Sequence, residues 1–101
     1  MWICLNDGFI SAVQTEDNPN LLKVRARRIE HLKSIFPGHK IQISKGTDYK
    51  YRVFVTKDEM EKVMLSRIKN IDYSNFKNSV KDNDLHDLYE GFWFKHYRYQ
   101  K

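Results

Sequence analysis

The chain has 101 residues, of which 41% are hydrophobic and 14% aromatic, a composition that argues against a disordered protein. A single domain commonly spans this length, so we expect residues 1–101 to fold as one domain. The 18 Lys and Arg residues outnumber the 13 Asp and Glu residues. The resulting charge of +5 favours nucleic acid, a membrane surface or an acidic protein as the partner.

The cysteine content and the hydropathy pattern indicate a cytoplasmic protein. Cys4 is the single cysteine, so no internal disulfide bond can form and a reducing compartment is expected. No apolar run reaches the roughly 20 residues of a membrane span, and the N-terminus lacks a signal-peptide pattern. We therefore expect no membrane segment and no membrane partner.

The start of the chain predicts three strands. Two apolar runs, residues 2–5 and 9–14, flank Asn6-Asp7-Gly8. An Asp-Gly pair between such runs predicts a β-hairpin, because its turn requires the positive φ that glycine adopts readily. Residues 21–28 alternate between apolar side chains and cations, which is the period of a half-buried strand.

A short helix is predicted next, and Pro37-Gly38 ends it. Residues 41–44 and 49–55 then predict two further strands. In the later strand, alternation places Tyr49 on the apolar face and Arg52 on the opposite face.

The second half of the chain has helical patterns. Thr56 and Glu59 form a capping box, which predicts the start of a helix at this point. The residues that follow at helical spacing form an apolar stripe. They are Met60, Val63, Met64, Ile68 and Ile71.

A short helical turn between residues 74 and 80 and a long final helix complete the chain. Asp82 or Asp84 can cap the final helix. Gly91 lies inside it, where glycine costs about 1 kcal/mol relative to alanine. We expect Gly91 to mark either a close helix contact or a break in the helix.

The predicted order is three strands, a helix, two strands and three helices. Strands that precede helices in this way predict an α+β domain. We expect an antiparallel sheet of four to five strands, with three to four helices packed mainly on one face. The other face of such a sheet is open to water.

Five cations are expected on the open face if the third and fifth strands share the sheet. They are Lys23, Arg25, Arg27, Lys50 and Arg52. Beside Phe54, they could hold phosphates by charge and stack a base on the ring. The alternative is a solvated strand face, on which Lys and Arg discourage edge-to-edge aggregation. No RNP, zinc-finger or helix-turn-helix pattern points to nucleic acid specifically.

Aromatic residues crowd the final helix. Helical spacing turns Phe94 and Tyr97 away from the side that carries Tyr89, Phe92 and Trp93. Exposed rings beside Arg and Lys are typical of binding hot spots, so Phe94 and Tyr97 are predicted to contact a partner. The alternative is that the rings wrap onto the sheet as part of the core.

The sequence gives little support for catalysis. One acidic cluster could hold a metal or perform acid–base chemistry, and its members are Asp82, Asp84, His86 and Asp87. Their spacing does not fit an EF-hand loop. Acidic residues at a helix start are ordinarily caps. A nucleophilic role for Cys4 is not favoured, since a thiol in an apolar strand is usually a small core side chain. No P-loop, dinucleotide or zinc-protease motif is present, so we expect no cofactor and no metal.

Two stretches follow one another closely in the second half of the chain. They are Asp72-Tyr73-Ser74-Asn75-Phe76-Lys77-Asn78-Ser79-Val80-Lys81-Asp82 and Leu85-His86-Asp87-Leu88-Tyr89. These stretches resemble a group of small bacterial proteins of about this length, which share D-Y-x-N-F-K-x-S-V followed by L-H-D-L-Y. The likeness extends to the N-terminal W-x-x-L-N-D segment and the Arg-rich third strand. The resemblance implies kinship and no particular activity.

The same two stretches contain more polar groups than a helix joint needs, which are Asn75, Lys77, Ser79, His86 and Asp87. They predict either a polar site or hydrogen bonds that hold the turns between helices.

The sequence therefore predicts a non-catalytic accessory or regulatory protein that binds a macromolecule, with a protein as the preferred partner. The first alternative is a nucleic-acid-binding protein that uses the five cations. The second is a small metal-dependent hydrolase that uses Asp82, Asp84, His86 and Asp87. The oligomeric state is not indicated.

Overall fold

The computed structural model describes residues 1–101 and confirms the α+β class and the predicted order of elements. In chain order the elements are β1 (Trp2–Leu5), β2 (Gly8–Gln14), β3 (Leu21–Ala26), α1 (Ile29–Ile35), β4 (Gln42–Ile43), β5 (Tyr51–Thr56), α2 (Lys57–Lys69), α3 (Phe76–Ser79) and α4 (Asn83–Tyr99). No helix combines the length and the apolar character that crossing a membrane requires.

The five strands form one antiparallel sheet in the order β1-β2-β3-β5-β4. The central pair joins β3 and β5, with Val24 opposite Val53 and Arg25 opposite Arg52. Because side chains alternate across a strand, this register places apolar pairs on one face of the sheet and cationic residues on the other.

The main core lies between the apolar face of the sheet and the helices α1 and α2. Ile10, Val24 and Val53 are fully buried, as alternation requires of their shared face. The helices contribute Leu32, Ile35, Phe36 and Met60 to this core. The capping box of α2 is confirmed: the Thr56 side chain accepts from the Glu59 backbone N–H, and the Glu59 carboxylate accepts from that of Thr56.

A second, smaller core forms where α3 and α4 meet the hairpin end of the opposite face. Phe9, the strand neighbour of Ile10, packs there with Tyr49, Val80, Leu85 and Tyr89. The Tyr89 hydroxyl donates to the carbonyl oxygens of Leu5 (2.8 Å) and Gly8 (2.9 Å), which ties α4 to the β1–β2 turn. Burial is the largest cause of the raised pKa of Tyr89.

The predicted hairpin is present, but the role of its glycine was predicted wrongly. The turn consists of Asn6 and Asp7, while Gly8 begins β2 and does not have a positive φ. A Cβ atom at Gly8 would lie 2.9 Å from the Cβ atom of His31. Gly8 therefore permits the close approach of α1 to the hairpin.

The apolar stripe predicted for α2 is buried only in its first half. Met60 is buried, whereas Ile68 and Ile71 are exposed. The helix presents Arg67 to the hairpin turn, where its guanidinium holds Asp7. Gly91 also differs from expectation, since α4 continues through it and no atom lies within 4 Å of where its Cβ would be.

Candidate functional site

Four of the five predicted cations converge on the face of the sheet opposite the main core. We call the surface formed by Lys23, Arg25, Arg27 and Arg52 the basic face. Arg25 and Arg52 are direct partners across β3 and β5, so the condition set in the sequence analysis, that the third and fifth strands share the sheet, is met. The fifth cation, Lys50, leans elsewhere, with its Nζ 5.6 Å from the centre of the Tyr51 ring.

Tyr49 organises the basic face, a role that the sequence did not suggest. It precedes β5 at a bend, so it leaves the apolar face on which strict alternation would have placed it. Its buried ring lies 4.6 Å from the Arg25 Cζ and 4.4 Å from the Arg27 Cζ, measured to the ring centre. Both guanidiniums are therefore held by cation–π attraction to one ring.

The hydrogen bonds of the three arginines go only to neutral oxygen atoms. Arg25 Nη2 donates to Ser11 Oγ at 2.9 Å, and Arg27 Nη1 donates to the Asp48 carbonyl oxygen at 2.6 Å. Arg52 Nη2 donates to Thr47 Oγ1 at 2.9 Å and to the backbone oxygen of Tyr49 at 3.0 Å. These contacts fix the guanidiniums in place without neutralising their charge.

No carboxylate forms an ion pair with the basic face. The ion pairs of the protein are Arg28–Asp84, His39–Glu59, Arg67–Asp7 and His86–Glu90. The charges of the basic face are therefore not neutralised by ion pairs, and cations of one sign that lie together on a surface produce a positive potential. An anion is the ligand that such a field favours.

The arrangement of Arg25 and Arg52 combines two features that ordinarily oppose folding. Like charges directly opposite one another in an antiparallel pair are destabilising. The Nε atoms of both residues are buried without a hydrogen-bond acceptor, and an unsatisfied buried donor costs about 1–3 kcal/mol. Unfavourable local arrangements of this kind are expected more often at functional sites than elsewhere on a protein surface.

A second candidate surface lies on the outer half of α4. Trp93, Phe94 and Tyr97 form what we call the aromatic patch, and their exposed fractions are 45%, 54% and 63%. The Trp93 and Tyr97 rings stack with their centres 5.4 Å apart, and the Trp93 and Phe94 rings meet edge to face at 5.3 Å. Lys77 Nζ lies 4.4 Å from the centre of the Trp93 ring.

The patch agrees with the predicted exposure of Phe94 and Tyr97 but adds Trp93. We had expected Trp93 to lie with Tyr89 and Phe92, on the side that packs. Phe92 is the last residue of α4 that is not exposed, because the second core ends there and the helix continues into solvent. The residue at which a helix extends beyond the core cannot be predicted from the periodicity of the helix alone.

The residues of the predicted polar site lie in two groups, since Asn75 and Lys77 line one cavity and His86 and Asp87 belong to a separate cluster. Asn75 caps α3 by accepting from the Asn78 backbone N–H at 3.1 Å, and Lys77 lies over Trp93. His86 and Asp87 lie instead beside Glu90, with their potential metal-binding atoms within 4.8 Å of one another. This group is open to solvent, and nothing else in the structure points to a bound ion there.

The carboxylates of the hydrolase hypothesis have structural partners. Asp82 caps α4 by accepting from the Leu85 backbone N–H at 2.9 Å. Asp84 forms an ion pair with Arg28, also at 2.9 Å. The Asp82 contact is the helix cap that was the predicted alternative to catalysis, whereas the ion pair of Asp84 links α4 to Arg28.

Cys4 does not lie in the core, contrary to expectation. It is exposed on the face of β1 that it shares with Phe9 of β2, and it lines a cavity of about 410 Å³ with Lys77, Trp93 and His96. Neighbouring atoms partly shield the thiol from water and raise the pKa of Cys4. A raised pKa reduces the thiolate fraction at neutral pH and so disfavours nucleophilic catalysis.

No protein-family model, curated protein or solved structure matches the chain. The resemblance to small bacterial proteins stays a prediction. The stretches that carry it meet in space, since Asn6 and Asp7 share a polar cavity of about 840 Å³ with residues between Asp72 and Asp82.

Proposed function

We propose that the protein is a non-catalytic accessory or regulatory protein that docks onto a partner protein through the aromatic patch. The observation that carries the proposal is the contact of the Trp93 ring with both Phe94 and Tyr97 on the outer half of α4, where all three side chains are exposed. Contiguous exposed rings of this kind mark interaction surfaces on soluble proteins.

The partner is expected to offer an apolar groove with an acidic rim. An amphipathic helix binds such a groove by inserting residues at positions i and i+4, the spacing of Trp93 and Tyr97. Cations surround the rings, whereas the last acidic residue of the chain is Glu90. Lys95 and Arg98 would therefore pair with carboxylates at the rim of the groove.

The proposal is tested by affinity capture from the cell that encodes the protein, followed by titration with the purified partner. Phe94→Ala combined with Tyr97→Ala should weaken binding by about 30-fold or more, since one hot-spot ring is worth roughly 2 kcal/mol. The matched control is Tyr99→Ala, which removes an exposed ring of the same helix outside the patch.

Two results would contradict the proposal. One is partner binding that the double variant and the Tyr99→Ala control weaken equally. The other is concentration-dependent self-association that the double variant abolishes, which would make the patch a contact between two copies of the chain. The proposal also keeps the prediction of a cytoplasmic location, for which the single cysteine is the support.

A further inference from the structure

We propose that the basic face is a second binding surface and that its ligand is single-stranded nucleic acid. The inference is independent of the aromatic patch, because none of the residues that carry it lies on α4. It rests on the juxtaposition of guanidiniums that have no counter-ion with exposed aromatic rings on the same face of the sheet.

The phosphate-binding part of the surface is centred on Arg25 and Arg52. Their register places the two residues directly opposite one another on the same face, and contacts with Ser11, Thr47 and Tyr49 restrict the movement of their guanidiniums. A phosphodiester oxygen between them would relieve the repulsion between like charges and accept charge-assisted hydrogen bonds. Groups already held in position lose little side-chain entropy on binding.

Two exposed aromatic rings lie on the same face of the sheet as this pair. Across the sheet, Trp2 is opposite Ser11, Ser11 is opposite Arg25, and Arg25 is opposite Arg52. In the neighbouring row, Lys23 is opposite Phe54. Trp2 and Phe54 are both exposed, so a ring is available on β1 and another on β5, and β3 with Lys23 and Arg25 lies between these two strands.

The exposed rings favour a single strand over a duplex. Bases can stack on aromatic side chains only when their faces are free, which is the case in a single strand. Duplex recognition commonly inserts a helix or a two-stranded ribbon into a groove, and the basic face is the broad surface of a five-stranded sheet. An acidic protein would pair with the cations but would leave the stacking rings without a specific role.

The test is fluorescence anisotropy with labelled oligothymidylate, labelled oligouridylate and a labelled duplex. Three phosphate contacts predict a loss of affinity for the single strand of roughly 20-fold between about 50 and 200 mM salt. Lys23→Gln combined with Arg52→Gln should weaken binding and reduce this salt dependence. Phe54→Ala should weaken single-strand binding about tenfold through lost stacking.

Matched controls separate this surface from charge alone and from the aromatic patch. Lys62→Gln combined with Lys69→Gln removes the same charge from exposed positions of α2 and should leave binding within about twofold. Phe94→Ala combined with Tyr97→Ala should bind the strand as the wild type does, even if it loses its protein partner. Circular dichroism verifies that each variant is folded.

Four results would overturn the inference. The first is that no single strand binds at about 50 mM salt, and the second is that the α2 control loses as much affinity as the basic-face variant. The third is that the duplex binds as tightly as the single strand and Phe54→Ala has no effect. The fourth is that polyglutamate displaces the labelled strand as efficiently as unlabelled strand does. The last result would indicate an acidic protein as the ligand. Salt-sensitive binding of either single strand that only the basic-face variants weaken would establish the surface.

Discussion

The two faces of the sheet are built from alternate residues of the same strands, yet they have opposite properties. On one face, Val24 and Val53 are fully buried beneath α1. On the other, their strand neighbours Arg25 and Arg52 oppose one another and have no carboxylate partner. The difference shows that a period of two can separate stabilising residues from charged residues along a single strand.

This separation has a consequence for mutation. Residues of the buried face contribute to stability through packing, so their truncation leaves cavities. Residues of the basic face have neutral partners and a common charge, so their removal should affect binding more than folding. Substitutions on the two faces therefore test whether stability and binding are separable in this protein.

The largest expected effect is on the buried face. Leu32→Ala should lower the free energy of unfolding by about 2–5 kcal/mol, because Leu32 of α1 is fully buried against the sheet. Lys23→Gln on the opposite face should change it by no more than about 0.5 kcal/mol. Denaturant unfolding monitored by tryptophan fluorescence measures both values, and comparable losses would show that the faces are not separable.

A smaller effect is expected at the hairpin turn, where the fold depends on pH. Arg67 donates to both carboxylate oxygens of Asp7, at 2.5 and 2.8 Å, and Ser34 donates to the same group. Burial alone would raise the pKa of Asp7, but the hydrogen bonds from Arg67 and Ser34 outweigh it and lower the pKa.

The sign of the pH dependence follows from this lowered pKa. Asp7 binds its proton more tightly in the unfolded chain than in the folded protein. Ionised Asp7 therefore stabilises the fold fully above its ordinary pKa near 4, and this stabilisation decreases as the pH falls through that value and below. Asp7→Asn should lower the free energy of unfolding by about 1 kcal/mol at pH near 7 and by less at pH near 3. The value is kept small because the ion pair is partly exposed. Asp17→Asn, at an exposed position, is the control. An equal cost at both pH values would exclude the ion pair as the cause.

The fold could be predicted further than the site. Alternation along β3 and the Thr56–Glu59 capping box are local signals, and local hydrogen bonds and strand period determine those elements directly. That β3 and β5 share the sheet could be stated only as a condition, and the pairing of Arg25 with Arg52 was not predicted, because register across non-consecutive strands depends on the whole sheet. Patterns within one segment do not contain that information.

The residues that sequence reasoning missed depend on tertiary neighbours. Tyr49 belongs to the basic face because the chain bends before β5, and Trp93 is exposed because the second core ends at Phe92. Ile68 follows the apolar period of α2 but is exposed, since Arg67 takes the contact with the hairpin. In each case the burial or exposure of the side chain depends on elements that are distant in sequence.

The smallest predicted effect concerns the junction between the packed and projecting halves of α4. Gly91 lies there inside a continuous helix, with open space where a Cβ atom would be. Gly91→Ala should therefore raise the free energy of unfolding by about 0.5–1 kcal/mol and increase helical circular dichroism. The matched control is Gly46→Ala, which should destabilise, because Gly46 has a φ of +79° that a residue with a Cβ atom rarely adopts. If Gly91→Ala instead left stability unchanged, the outer half of α4 would not be helical in the free protein, and the aromatic patch would form only against its partner.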